Sequence, residues 1–184
     1  MGLRGQTPIP EKVEKPIFTI GFHHEFFDLH PMSRTWKGKE QLLGFCQRAL
    51  LGVDEKSQLV PALLEKLPVV SRKSFRSQNQ WLLSMKLKAT SKFGDGSPIS
   101  ANDIKFSWQL GKDSQLSPYL QIEKVYTYSQ KPLEFSFLLK EGVDANYLEE
   151  LRYFRVVSQK QEQPILLKER NYWEHHSFIE QPLK

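Results

Sequence analysis

The chain has 184 residues, of which 39% are hydrophobic and 12% aromatic, including four Trp and twelve Phe. That apolar content supports one cored domain and excludes a wholly disordered chain. Lys and Arg outnumber Asp and Glu by 26 to 21, a net charge of +5, which is too dispersed for a nucleic-acid binder, and no apolar run reaches the length of a membrane span.

Residues 1–16 read as a tail or linker, with Pro8, Pro10 and Pro16 and no apolar stretch of the kind a signal peptide carries. Ile17–Phe22 reads as a short strand, followed by a loop that closes on Pro31. A helix is expected over Lys39–Leu51, because Leu42, Phe45, Cys46, Ala49 and Leu50 fall on one stripe and Gly52 supplies a stop. Cys46, the single cysteine, is expected as a buried structural thiol. A second, shorter helix is expected over Pro61–Lys66, with Pro61 in its first turn. Arg72, Lys73 and Arg76 cluster around Phe75 and read as a solvated surface loop rather than a phosphate contact.

Gln80–Lys88 alternates, with Trp81, Leu83, Met85 and Leu87 on one side, and is expected as a half-buried strand. Phe93–Pro98 is a dense turn signal in which Gly94 and Gly96 are expected to take positive φ. Ser100 and Asp103 have the spacing of a capping box and open a helix that is expected to end near Gly111 and to be buried on more than one side. Leu133–Lys140 alternates again, and Asp144 is expected to cap a helix carrying Tyr147, Leu148, Leu151 and Phe154. Short strands are expected at Arg155–Ser158 and Ile165–Lys168. Trp81, Phe106, Trp108, Phe135 and Phe137 are expected to be largely buried. Strands mixed irregularly with short helices imply an α/β or α+β fold.

These segments, in this order, resemble the bacterial extracellular solute-binding proteins of the oligopeptide/dipeptide-binding type, family 5. The most specific likeness is Phe93–Trp108, which follows "f-x-D-G-x-P-v-T-A-x-D-v-x-f-S-w" at nearly every position. Glu25 with Leu29-His30-Pro31 is similar to the family's acidic residue and Leu-Asp-Pro, with His30 in place of the Asp. Leu59–Leu63, Ser117-Pro118-Tyr119, Pro132–Lys140 and Asn171-Tyr172-Trp173 continue the likeness. Two departures stand out. Family members run far longer, with a second lobe after the Tyr-Trp motif, and they carry a "GTGPY"-like segment that Val156–Pro164 lacks.

The resemblance implies a partial periplasmic-binding-protein-like lobe, α/β with a mixed sheet and short flanking helices, over residues 17–173, and a tail at 174–184. It implies a non-enzymatic solute-binding component of an ABC-type uptake system, as one lobe or a shortened form. The expected partners are a peptide or other small solute and the transporter's permease subunits, with no nucleic acid and no membrane contact except through the transporter. The expected location is periplasmic or extracellular. The alternative is a protein–protein interaction or structural module derived from such a lobe without ligand capture. Glu25 and Tyr119 are implied at the cleft, Glu25 as a carboxylate that pairs with a cationic or N–H group. Trp36 is a candidate stacking wall, although core packing is the commoner fate of a Trp.

No cofactor, metal site or catalytic residue is expected. His24-Glu25 with Asp28 has the look of a zinc-protease helix, but it follows a strand and puts Asp at the second ligand position. His175-His176 reads as a solvated tail. No G-x-S-x-G, Walker or G-x-G-x-x-G signature is present. Asp95 and Asp103 are expected to have purely local jobs, in the turn and in the cap.

Overall fold

The structure is a computed structural model that describes residues 30–32, 39–75 and 78–161. The expected strands Ile17–Phe22 and Ile165–Lys168, both tails and Arg76 lie outside the described residues, as does the side chain of Cys46. A four-stranded antiparallel sheet forms the centre. Its strands are β3 (Val69–Phe75), β4 (Gln78–Lys86), β5 (Ile122–Tyr128) and β6 (Lys131–Leu139), in the order β3-β4-β6-β5. A small hairpin of β1 (Leu51–Val53) and β2 (Leu59–Pro61) stands beside it. The helices are α1 (Lys39–Cys46), α2 (Ala101–Asp113), α3 (Ser117–Leu120) and a 3-10 helix at Ala145–Arg152. The fold is thus the expected α/β class, and both described sheets are antiparallel where the resemblance implies a mixed sheet.

The alternating strands behave as their pattern dictates. Leu83 and Met85 of β4 share the inner face with Phe135, Phe137 and Leu139 of β6, and all five are buried. Against this face pack Ile104 and Leu110 of α2, then Tyr119, Leu151 and Phe154, in one continuous core. Phe137 stands 5.2 Å from Phe154, and Phe154 stands 4.5 Å from Tyr119, measured between ring centroids.

Helix α2 opens on the expected capping box. Ser100 Oγ accepts from the Asp103 N–H, while Asp103 Oδ2 accepts from the Ser100 N–H at 2.9 Å. Only Gly96 of the turn's two glycines takes a positive φ, at 85°. The helix ends at Asp113, close to the expected stop near Gly111, and Gln115 follows at φ 59°. Gly111 is there for another reason: a Cβ at that position would run into the Tyr119 ring. Burial is also one-sided. Asp103, Ile104, Ser107, Leu110 and Gly111 are buried, whereas Phe106 and Trp108 are partly buried on the flanks. Trp81 is likewise only partly buried, with the Arg72 guanidinium 4.7 Å from its ring centroid.

Four further expectations are corrected. Helix α1 ends at Cys46 rather than Leu51, and Leu43, not Leu42, is its buried leucine. Ala49 instead bridges Arg155, and Gly52 lies in β1. Pro61–Lys66 is not helical. Pro61 pairs with Leu51, and the Lys88 ammonium takes the carbonyls of Pro61 and Ala62 at 3.1 and 2.8 Å, the acceptors a helix would use. The basic stretch at Arg72 and Lys73 is not a loop but the edge strand β3. In place of the expected strand Arg155–Ser158, Arg155 forms only its bridge to Ala49.

Among the described residues no helix is long and apolar enough to cross a membrane. No group of three or more His, Cys, Asp or Glu among them is placed to hold a metal ion.

Candidate functional site

Of the three site residues expected from the sequence, Glu25 and Trp36 lie outside the described residues. Tyr119 lies at the junction of α1, α2, α3 and the segment that follows the 3-10 helix. Pro118 at the start of α3 fixes a tight entry, and Tyr119 turns inward to 1% exposure. Its hydroxyl donates to the Arg155 carbonyl and accepts from the Arg155 N–H, both at 2.9 Å. Burial pushes its phenol well above the ordinary tyrosine range, offset in part by the Arg155 backbone and charge. A hydroxyl committed in this way holds the chain together; it is not turned toward a solute.

Arg155 extends the junction. Its side chain is 9% exposed, donates through Nη1 to the Gln47 carbonyl at 3.0 Å, and pairs through Nη2 with Glu40 Oε2 at 3.3 Å. One guanidinium thus meets the acidic first turn of α1 and a carbonyl just past its last turn, the end at which a cation is favoured. Arg155 Nε and Gln47 Oε1 are buried without hydrogen-bond partners among the described residues. Nothing local in the sequence announces this pair, because 115 positions separate Glu40 from Arg155.

Two hollows flank the Glu40–Arg155 pair, and Glu40 lines both. One, of about 230 Å³, lies against Tyr119 and is lined also by Pro31, Ser117, Glu150 and Tyr153. The other, of about 400 Å³, is floored by the small residues Gly44, Ala49, Gly52 and Ala62 and walled by Arg48, Arg152 and Arg155. The first is acidic, through Glu40 and Glu150; the second is mainly basic. The two sides of the pair thus differ in the sign of their lining charge.

The polar residues of the 93–108 stretch have a wider reach than the turn and cap expected of them. Asp95 Oδ1 accepts from the Ser97 N–H and hydroxyl, which holds its carboxyl below the usual range, while its Oδ2 accepts from Gln161 Nε2 at 2.8 Å. Asp103 caps its helix with Oδ2 and takes the Gln159 N–H with Oδ1 at 3.0 Å. Ser107 donates to the Asp103 carbonyl at 2.7 Å and accepts from the Val157 N–H at 2.9 Å.

The sequence matches no protein-family model and no curated protein. The fold does have counterparts among solved structures. The oligopeptide-binding protein of Thermus thermophilus, complexed with a pentapeptide, superposes with a TM-score of 0.63 at 14% identity, over 78% of this chain and 25% of its own. The pheromone receptor PrgZ, solved for its mode of peptide binding, gives 0.60 at 21% identity, over 79% and 30%. NikZ from Campylobacter jejuni, in complex with Ni(L-His), gives 0.58 at 18% identity, over 76% and 27%. At these identities the likeness is one of fold. The described residues form an α/β lobe whose fold is shared with part of each of these binding proteins. The chain spans between 25 and 30% of the length of these three structures.

Proposed function

We propose that this chain is a lobe of a non-enzymatic solute-binding protein. It takes up a peptide or similar small solute for the permease subunits of an ABC-type uptake system, on the periplasmic or extracellular side. The single observation behind this reading is the fold shared, over about three-quarters of the chain, with proteins named for binding peptides. A nickel–histidine binder with the same lobe widens the solute class to small chelates.

In this reading Glu25 supplies a carboxylate to a cationic group of the solute, and Trp36 a stacking wall. Tyr119 contributes to the side of an acidic hollow, next to Glu40 and Glu150, rather than through its hydroxyl. That hollow is smaller than sites for drug-sized ligands, roughly 300–1,000 Å³, so one charged end group of a solute is what it accommodates.

One observation favours the second reading, an interaction or structural module without ligand capture: the only expected site residue among the described ones has its hydroxyl bonded to backbone. Native mass spectrometry of the protein purified without refolding separates the two. A co-purifying small solute, displaced by a di- to pentapeptide mixture, supports solute capture. An empty protein that gives no heat with peptides or with nickel–histidine in calorimetry leaves the module reading.

A further inference from the structure

The segment Arg155–Gln161 is held in an unusual manner. Its alternate backbone N–H groups, at Arg155, Val157 and Gln159, are taken in turn by Tyr119 Oη, Ser107 Oγ and Asp103 Oδ1, at 2.9, 2.9 and 3.0 Å. A fourth bond joins the Gln161 side chain to Asp95 at 2.8 Å. Asp103 and Ser107 are one helical turn apart on α2, and Gly111 is one turn further on, where its missing Cβ admits the Tyr119 ring. The spacing of a helix face therefore matches the two-residue repeat of the extended stretch from Arg155, up to the helical turn that begins at Gln159. Among the described residues, the segment's one pairing with a strand-like partner is the bridge from Arg155 to Ala49.

We propose that this segment is a latch: an extended stretch at 155–158 that runs into a helical turn at 159–161, docked on a row of side chains and able to open and close as a unit while the four-stranded sheet stays intact. The sheet's ladder contains none of its residues, so opening breaks no rung of that sheet. Three of the four polar residues of the dock also have a local bond that survives opening, whereas both bonds of the Tyr119 hydroxyl go to Arg155 and break with it. Asp95 keeps Ser97, Asp103 keeps Ser100, and Ser107 keeps the Asp103 carbonyl. Buried Val156 and Val157 supply the apolar hold that closes it again. Segments with few ladder bonds open below the free energy of global unfolding. This inference stands apart from the solute-binding reading, since no ligand enters it.

Amide hydrogen exchange followed by NMR on the whole 184-residue chain tests the latch. The Val157 and Gln159 amides should show the same protection within about threefold, and at least about tenfold less than the amides of β6. Of the dock's bonds to the segment, Ser107→Ala deletes those to Val157 alone, together with the hydroxyl's own bond to the Asp103 carbonyl within α2. It should raise exchange at both Val157 and Gln159 by about tenfold and leave β6 unchanged. Gln161→Ala, at the exposed end, should raise both by a few fold, and it covers the case in which Ser107→Ala fails to fold. Protection at Val157 equal to that of β6, or a response confined to the residue whose bond was cut, would overturn the proposal.

Discussion

The Tyr119 hydroxyl closes a two-way bond with the peptide groups of Arg155, giving its proton to the carbonyl and receiving the N–H, across 36 positions of sequence. Tyr119→Phe keeps the ring and orphans both buried backbone groups. The expected loss is about 2–3 kcal/mol, since an unmet buried polar group costs about 1–3 kcal/mol. Urea unfolding measures it. A loss below about 0.5 kcal/mol would mean that water replaces the hydroxyl at no cost.

The same burial gives a pH dependence. Burial raises the Tyr119 phenol, and it raises that of Tyr147, whose hydroxyl donates to the Pro118 carbonyl. An unfolded tyrosine ionises near pH 10, roughly. Above that value the unfolded chain has lost protons that the folded chain keeps, so folding is disfavoured as pH rises. Stability contributed by the two phenols should be intact below about pH 10 and fall steadily above it. Tyr119→Phe should make that fall shallower, as seen in thermal midpoints between neutral and alkaline buffer. An unchanged slope would contradict the assignment.

Two glycines should respond oppositely to alanine. At Gly111 the added methyl would overlap the Tyr119 ring, and overpacking of this kind costs about 1–3 kcal/mol or more. At Gly44 in α1 nothing lies within 4 Å of the added carbon. There the substitution should stabilise by about 0.4–1 kcal/mol. Equal effects in denaturant titrations would show that α2 and Tyr119 do not meet as described.

Two aromatics that look alike in sequence should differ in cost. Phe137 is fully buried between Phe135 and Phe154, and Phe137→Ala should lose about 3–5 kcal/mol. Trp108 is partly buried and donates from Nε1 to the Ile122 carbonyl at 3.3 Å. Trp108→Ala should lose about 1.5–3 kcal/mol. The reverse order in paired unfolding curves would place Trp108 in the core.

Where the sequence is readable, the signal is local. The alternation of β4 and β6 and the Ser100–Asp103 cap need nothing beyond their neighbours, and they stand as expected. The departures have distant causes. The stripe through Ala49 and Leu50 continues a helical spacing, yet Ala49 is claimed by Arg155. Pro61 signals a helix start, yet Lys88 takes its carbonyl. Gly111 stands near the helix end as expected, yet it is also a seat for Tyr119. Strand β5 escapes sequence reading altogether because register shifts at Ile122/Lys124 and Thr127/Tyr128 break its alternation. Of the site, Tyr119 is visible through a family likeness alone. Glu40 and Arg155 are not, because long-range ion pairs leave no mark on either neighbourhood.

The arrangement of the sheet decides how the molecule meets its own copies. Among the described residues, strands β3 and β5 are the two margins of the four-stranded sheet, and a margin is where a sheet can recruit another strand. On β3, Val69 is 53% exposed, but the cations of Arg72 and Lys73 stand a few residues along the same margin. On β5 the two register shifts distort the margin that a flat partner would need. One margin is therefore guarded by charge and the other by irregularity. The guard made of charge is the one that two side-chain changes can remove. Arg72→Val with Lys73→Thr should make light scattering grow more steeply with concentration than it does for the unchanged chain, while the same pair of changes to Glu should not.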